Sequence, residues 1–239
     1  MSRDAPLVAG ETYHVFNRGA HKRDVFIEEK DYHRFLLLLF LANNTAPINI
    51  RDLLGKYESR SMLDVFTHEE TDKSLVDVLA YSLMPNHIHL VLRQKVENGI
   101  TLYMKRIGVG YAMYFNLKHS HSGVLFQGRF KSRHVDNEAY FRYLFAYVHL
   151  NPLDIVEYGW KDKKSAPSMQ SKKFVEDYPF SSFRDYTHQS ELRPQRNLLS
   201  LHASPDFLLR QNDLDSLFWW YKAGREYGGL STVPEMRPL

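Results

Sequence analysis

Short runs of apolar and β-branched residues are interleaved along this chain with longer runs whose apolar positions recur every three or four residues. Thr12 to Arg18 (TYHVFNR), Leu75 to Met84, His87 to Arg93 and Phe130 to Val135 have the length and make-up of strands. The turn Met84-Pro85-Asn86 joins the middle two as a hairpin. Lys30 to Ala42 carries Tyr32, Phe35, Leu36, Leu39 and Phe40 at helical spacing. Ile100 to Lys118 does the same with Ile100, Tyr103, Met104, Ile107, Tyr111 and Tyr114. Gly108 and Gly110 lie inside that helix and predict a weak middle or close packing against a neighbour. A third helix is predicted over Asn137 to Leu150, N-capped by Asp136 or Asn137 and stopped by Pro152.

The order β-α-β-β-α-β-α predicts an α+β fold, a ferredoxin-like antiparallel sheet backed by helices. Asn43 to Lys73 is polar and irregular, broken by Asn43-Asn44 and Pro47, with room for one short helix. Past Asn151-Pro152 the pattern loosens. Lys161 to Lys173 reads as a Lys/Ser-rich linker, Tyr178 to Tyr186 (YPFSSFRDY) as ordered, and Asp206 to Gln211 and Leu214 to Ala223 as short terminal helices. This divides the chain into a domain at 1–160 and a linker with a partly helical C-terminal extension at 161–239. Phe218, Trp219, Trp220 and Tyr221 in that extension could cover a core edge or stack on bases, and clustered aromatics usually bury.

A chain of 239 residues can bury one good core plus an extension, and a 44% hydrophobic, 25% charged composition is that of a soluble globular protein. The longest apolar run, Phe35 to Ala42, is far too short to span a membrane. Arg3 and Asp4 lead into no signal-peptide pattern, so the expectation is a cytoplasmic protein without a membrane partner. With no cysteine, disulfides and thiolate metal sites are excluded. The net charge of +3 is modest but uneven. No Asp or Glu occurs from Asn98 through Val135, a stretch holding Lys105, Arg106, Lys118, Arg129, Lys131 and Arg133 among several aromatics. Such a segment suits a nucleic-acid groove; it also suits one solvated basic face.

The candidate chemistry starts at Met84-Pro85-Asn86-His87-Ile88-His89-Leu90. Side chains alternate along a strand, so His87 and His89 share a face while Ile88 and Leu90 point into the other layer. Paired imidazoles on a rigid strand are a ready site for a divalent metal, although they also occur on half-exposed sheet faces. On the third helix Phe141, Leu144, Phe145 and Val148 form the core stripe, and Tyr140, Tyr147 and Asn151 fall together on its flank. Tyr147 and Asn151, four apart, are neighbours one turn apart. Asn151 can offer an oxygen ligand and Tyr147 a nucleophilic phenol; equally, Tyr147 can be an amphipathic residue at a core edge and Asn151 a helix terminus before proline. A phenol of pKa about 10 needs a nearby cation or base to attack at neutral pH.

These pieces resemble the single-tyrosine HUH transposases, and most closely the REP-associated tyrosine transposases. The matching segments are TYHVFNRG at 12–19, MPNHIHLVL at 84–92, GVLFQGRFKSRHVDNEAYFRYLFAYVHLNP at 123–152 and YPFSSFRDY at 178–186. The resemblance implies a ferredoxin-like fold, His87 and His89 as metal ligands with Asn151 as the third, and Tyr147 as the nucleophile. It implies Mg²⁺ or Mn²⁺ as cofactor, and nicking and strand transfer of single-stranded or hairpin DNA through a 5′-phosphotyrosine. It allows a homodimer, since some relatives share active sites between subunits. His149 stands where relatives often carry an acid, and residues 187–239 match no segment of the family.

Arg18, Lys22, Arg23, Arg129, Lys131 and Arg133 are the candidate phosphate contacts. Two other functions compete with the transposase reading. One is a hairpin-binding module of the same fold without cleavage. The other is a metal-dependent phosphoester hydrolase, whose activity would survive loss of Tyr147.

Overall fold

The structure is a computed structural model that describes residues 6–46, 52, 65–66, 73–162, 167–187, 193–210 and 213–227. Strands β1 (Thr12–Arg18), β2 (Val76–Met84), β3 (His87–Gln94) and β4 (Lys131–His134) form one sheet in the order β2-β3-β1-β4. Every pairing is antiparallel. Helix α1 (Glu29–Leu41) joins β1 to β2, and α2 (Gly99–Lys118) joins β3 to β4. This is the βαββαβ topology expected from the element order, an α+β sheet backed by helices.

Tyr103 on α2 donates its hydroxyl to the Leu39 carbonyl of α1 at 2.6 Å, and Tyr111 donates to the Val25 carbonyl at 2.5 Å. These bonds let two bulky phenols sit fully buried between the helices without an unpaired polar atom. Close packing at the middle of α2 is not found at Gly108. The helix is continuous over 20 residues, and a side-chain atom added at Gly108 would meet nothing within 4 Å.

Helix α3 (Glu138–Leu150) covers the sheet's other face. The Asn137 side chain caps it, accepting from the Tyr140 amide at 2.7 Å. The C-terminal segment adds α4 (Leu153–Val156), α5 (Met169–Asp177), α6 (Phe183–Thr187), α7 (Asp206–Arg210) and α8 (Leu214–Tyr227), of which α6, α7 and α8 pack on α3 through Tyr186, Phe207 and Tyr221. Held between sheet and extension, α3 buries every residue from Tyr143 to Leu150.

The stretch read as a linker thus contains most of a helix, because Val175 finds a buried position. The irregular Asn43 to Lys73 segment and Gln211 lie largely outside the described residues. YPFSSFRDY is ordered and runs along the exposed edge of β2. Leu83 donates its amide to the Phe180 carbonyl at 2.9 Å, and Ser182 donates to the Tyr81 carbonyl at 3.0 Å. Covering an edge strand this way removes a site for unwanted pairing. His149 faces this segment, its Nε2 2.7 Å from the Ser182 hydroxyl, in full burial. It therefore ties α3 to the edge cover on the side away from Tyr147. No described helix is long and apolar enough to cross a membrane.

Candidate active site

The β1–β3 register places Phe16 opposite His89 and Arg18 opposite His87. Directly opposed residues of an antiparallel pair share a face, so His14, Phe16 and Arg18 line one surface with both histidines. β4 adds Lys131 opposite Phe16 and Arg133 opposite His14. Tyr147 of α3 descends onto this surface, with its ring 5.3 Å from the His89 ring and 6.1 Å from that of His14. Asn151 reaches His87, its Oδ1 3.4 Å from His87 Nε2. His87, His89, Tyr147 and Asn151, two from a strand and two from a helix, are thereby brought together, and all four are buried.

Each imidazole is held at Nδ1. His87 Nδ1 donates to Asn86 Oδ1 at 2.6 Å. His89 Nδ1 meets His14 Nε2 at 2.9 Å. Asn86 also donates its side-chain amide to the Lys22 carbonyl at 3.2 Å, and its own carbonyl accepts from Gly19 at 2.8 Å. The hairpin turn is therefore bound to the loop after β1, and the His87 ring is oriented through that bond.

The other ring nitrogens meet inside the site. His87 Nε2, left with a lone pair, faces the lone-pair oxygen of Asn151. Asn151 is set that way because its Nδ2 donates to the Tyr147 carbonyl at 3.3 Å. Among the described residues, buried His89 Nε2 has no hydrogen-bond partner. Burial pushes the His87 and His14 imidazoles down to about 3, and His89 well below the usual histidine value, so all three are neutral at physiological pH. Neutral, buried, acceptor-rich nitrogens beside an amide oxygen fit a divalent cation. Among the described residues no three His, Asp, Glu or Cys side chains cluster as ligands; the fit rests on two histidines and an amide.

The basic candidates separate into distinct environments. Arg18 is buried at the end of β1; burial lowers its guanidinium's pKa and the neighbouring Tyr147 phenol raises it. Lys22, Arg23, Arg129 and Lys131 are exposed on the rim. Arg23 also contacts His121 of the adjoining loop. Arg133 lies over the Tyr140 ring, 4.8 Å from its centroid.

Two cations of the acid-free stretch point elsewhere. Lys118 pairs with Glu28 and with Asp31 at 2.9 Å. Arg106 donates to the carbonyls of Ala42, Asn44 and Ala46 beyond the end of α1. The acids absent locally are supplied across the fold. Lys118 and Arg106 are thus engaged within the fold, away from the candidate site.

Sequence reasoning missed His14 and Asn86. For His14 the signal was present, since Thr12 to Arg18 puts His14, Phe16 and Arg18 on one face. Asn86 carried no such signal, because its bonds to the loop after β1 appear only when the two segments meet.

Residues 46–151 match the family model described as "Transposase IS200 like". The chain is similar to the IS200-like transposases. The matched stretch contains β2, β3, α2, β4 and α3, and with them His87, His89, Tyr147 and Asn151. Among solved structures, that of a REP-associated tyrosine transposase bound to a REP hairpin is 14% identical, with a TM-score of 0.47 over 82% of this chain and 90% of that one. No curated protein matches the chain. The coarse function that follows from the IS200-like similarity is transposase-like action on DNA.

Proposed function

We propose that this protein nicks and transfers single-stranded DNA, at sites beside hairpins, through a covalent 5′-phosphotyrosine on Tyr147. The observation that carries this reading is the convergence of Tyr147 and Asn151 from α3 on His87 and His89 from β3. His87 and His89 through Nε2, and Asn151 through Oδ1, would hold Mg²⁺ or Mn²⁺. A bound cation there supplies Lewis-acid charge neutralisation at the non-bridging oxygens of the scissile phosphate.

The protein's own residues do the rest. Tyr147 Oη attacks phosphorus, the P–O3′ bond breaks, and the DNA is left with a free 3′-OH. The proton given up by the phenol balances the one gained by the departing 3′ oxygen, and no redox change occurs. Because the phosphodiester energy is kept in the phosphotyrosine, a second 3′-OH can attack it and rejoin the strand. Arg18 supplies positive charge from within the site. Lys22, Arg23, Arg129, Lys131 and Arg133 line the approach and hold the backbone phosphates.

The test incubates the protein with Mn²⁺ and labelled single-stranded hairpin DNA from its genomic neighbourhood, then resolves the products on a denaturing gel. The expected result is a protein-linked DNA band in the wild type and none in Tyr147→Phe. Binding without a covalent band in the wild type would reduce the protein to a hairpin-binding module. Equal cleavage by both proteins would indicate a hydrolase and remove Tyr147 from the chemistry.

A further inference from the structure

Lys161 lies nine residues beyond the Leu150-Asn151-Pro152 run and has no part in the machinery proposed above. Its chain position follows α4, in a single 3-10 turn at Trp160–Asp162. The ammonium nevertheless sits over the Tyr147 ring, 5.0 Å from its centroid. The side chain is only 10% exposed. A buried ammonium needs a counter-charge, and Asp154 supplies it at 2.7 Å from a carboxylate that is 5% exposed. The same ammonium lies 5.8 Å from the centroid of the Trp160 ring, and Arg225 of α8 donates to the Lys161 carbonyl, so both ends of the residue are fixed.

A structural role alone accounts poorly for this placement. An Asp154–Lys161 pair could be formed at the surface at little desolvation cost. Instead the ammonium is drawn in against the ring of Tyr147. Tyrosine attack concentrates negative charge on the phenol before the bond to phosphorus forms, and a fixed cation at the ring face opposes that charge.

We propose that Lys161 is a positioning residue for the nucleophile: clamped by Asp154, its ammonium stabilises the Tyr147 phenolate in strand cleavage and again when tyrosine leaves in rejoining. The inference rests on the phosphotyrosine reading above. It makes the segment beyond residue 151, where the family-model match ends, a contributor to the active site.

The experiment compares wild type, Lys161→Met and Lys161→Arg in the full chain, with hairpin DNA and Mn²⁺. Methionine keeps the apolar stem and removes the charge; arginine keeps the charge. Three quantities are measured: the single-turnover rate of adduct formation, the Kd for the same DNA in a Tyr147→Phe background, and the thermal midpoint. The expected result for Lys161→Met is a rate lower by roughly 100-fold with Kd unchanged, and partial recovery of the rate in Lys161→Arg. Rejoining, started from isolated adduct with a 3′-OH strand, should slow by the same factor.

A folded Lys161→Met with the wild-type rate would overturn the proposal. So would a loss that appears wholly in Kd, which would make Lys161 a DNA contact. If Lys161→Met fails to fold, Lys161→Gln is measured in its place against the same criteria. A wild type that forms no adduct overturns both the phosphotyrosine reading and this one, whereas an adduct formed at equal rate by both proteins overturns this one alone.

Discussion

At the scale of single residues, the site depends on nitrogen atoms whose orientation is set by neighbours with no chemistry of their own. Burial keeps the His87 and His14 imidazoles neutral, at about 3, so the lone pairs a cation needs are present without competition from protons. Which nitrogen offers its lone pair is decided by Asn86 and His14. Replacing His14 with Phe keeps a ring in the same space and deletes the partner of His89 Nδ1. We expect Mn²⁺ affinity, followed by EPR titration, to fall by about 10- to 100-fold with the fold intact. Unchanged affinity would show that His14 does not orient His89. Of this arrangement, the pairing of His87 with His89 was legible because strand alternation is a local rule. The role of His14 was not, since its bond to His89 spans 75 residues and depends on strand register.

At the scale of elements, the start of α1 and the end of α2 are joined through Asp31. Its fully buried carboxylate accepts from the amides of Ile27 and Glu28, from Lys118 at 2.9 Å and from His119 at 3.0 Å. Burial pushes this carboxyl up, but those four donors outweigh it and leave the group at about 2. An unfolded aspartate titrates near about 3.9. The folded value being the lower one, the stabilisation is complete above about pH 4 and is lost as pH falls toward about 2. Urea midpoints measured from pH 2 to 6 should therefore drop on the acid side. Asp31→Asn should be less stable at neutral pH and show a flatter acid limb; an acid limb identical to that of the wild type would refute the assignment. The helix periods themselves were legible, and α1, α2 and α3 lie within a residue or so of their expected bounds. The partners of Lys118 and Arg106 were not, because a run without acids says nothing about acids and carbonyls brought in from α1.

At the scale of the whole molecule, the C-terminal extension is packed into the same structure as the site. α8 lies against α3, and Tyr221 stacks on Tyr143, which in turn stacks on Tyr147 with ring centroids 6.3 Å apart. A side-chain carbon at Gly224 would come within 2.6 Å of Tyr143 Cβ. Gly224→Ala should lower stability by about 1–3 kcal/mol through overpacking, read as a lower thermal midpoint. Gly108→Ala, in open space on a helix, should raise stability by about 0.5–1 kcal/mol and serves as the opposite control. Equal midpoints for the two variants would mean that α8 does not press on Tyr143 as described. Trp220 and Tyr221 are buried and Trp219 stays exposed, so the aromatic cluster mostly covers core. What the sequence by itself determined was what a single element can encode: the strand and helix periods, the shared face of His87 and His89, and the one-turn spacing of Tyr147 and Asn151. What only the tertiary structure decided was everything that joins distant elements: His14 behind His89, Asn86 bridging hairpin and loop, and Lys161 over Tyr147. Alternation and helical period act over a few residues and leave a trace in the chain. Register and packing between elements depend on how whole surfaces fit, and no local pattern records that fit.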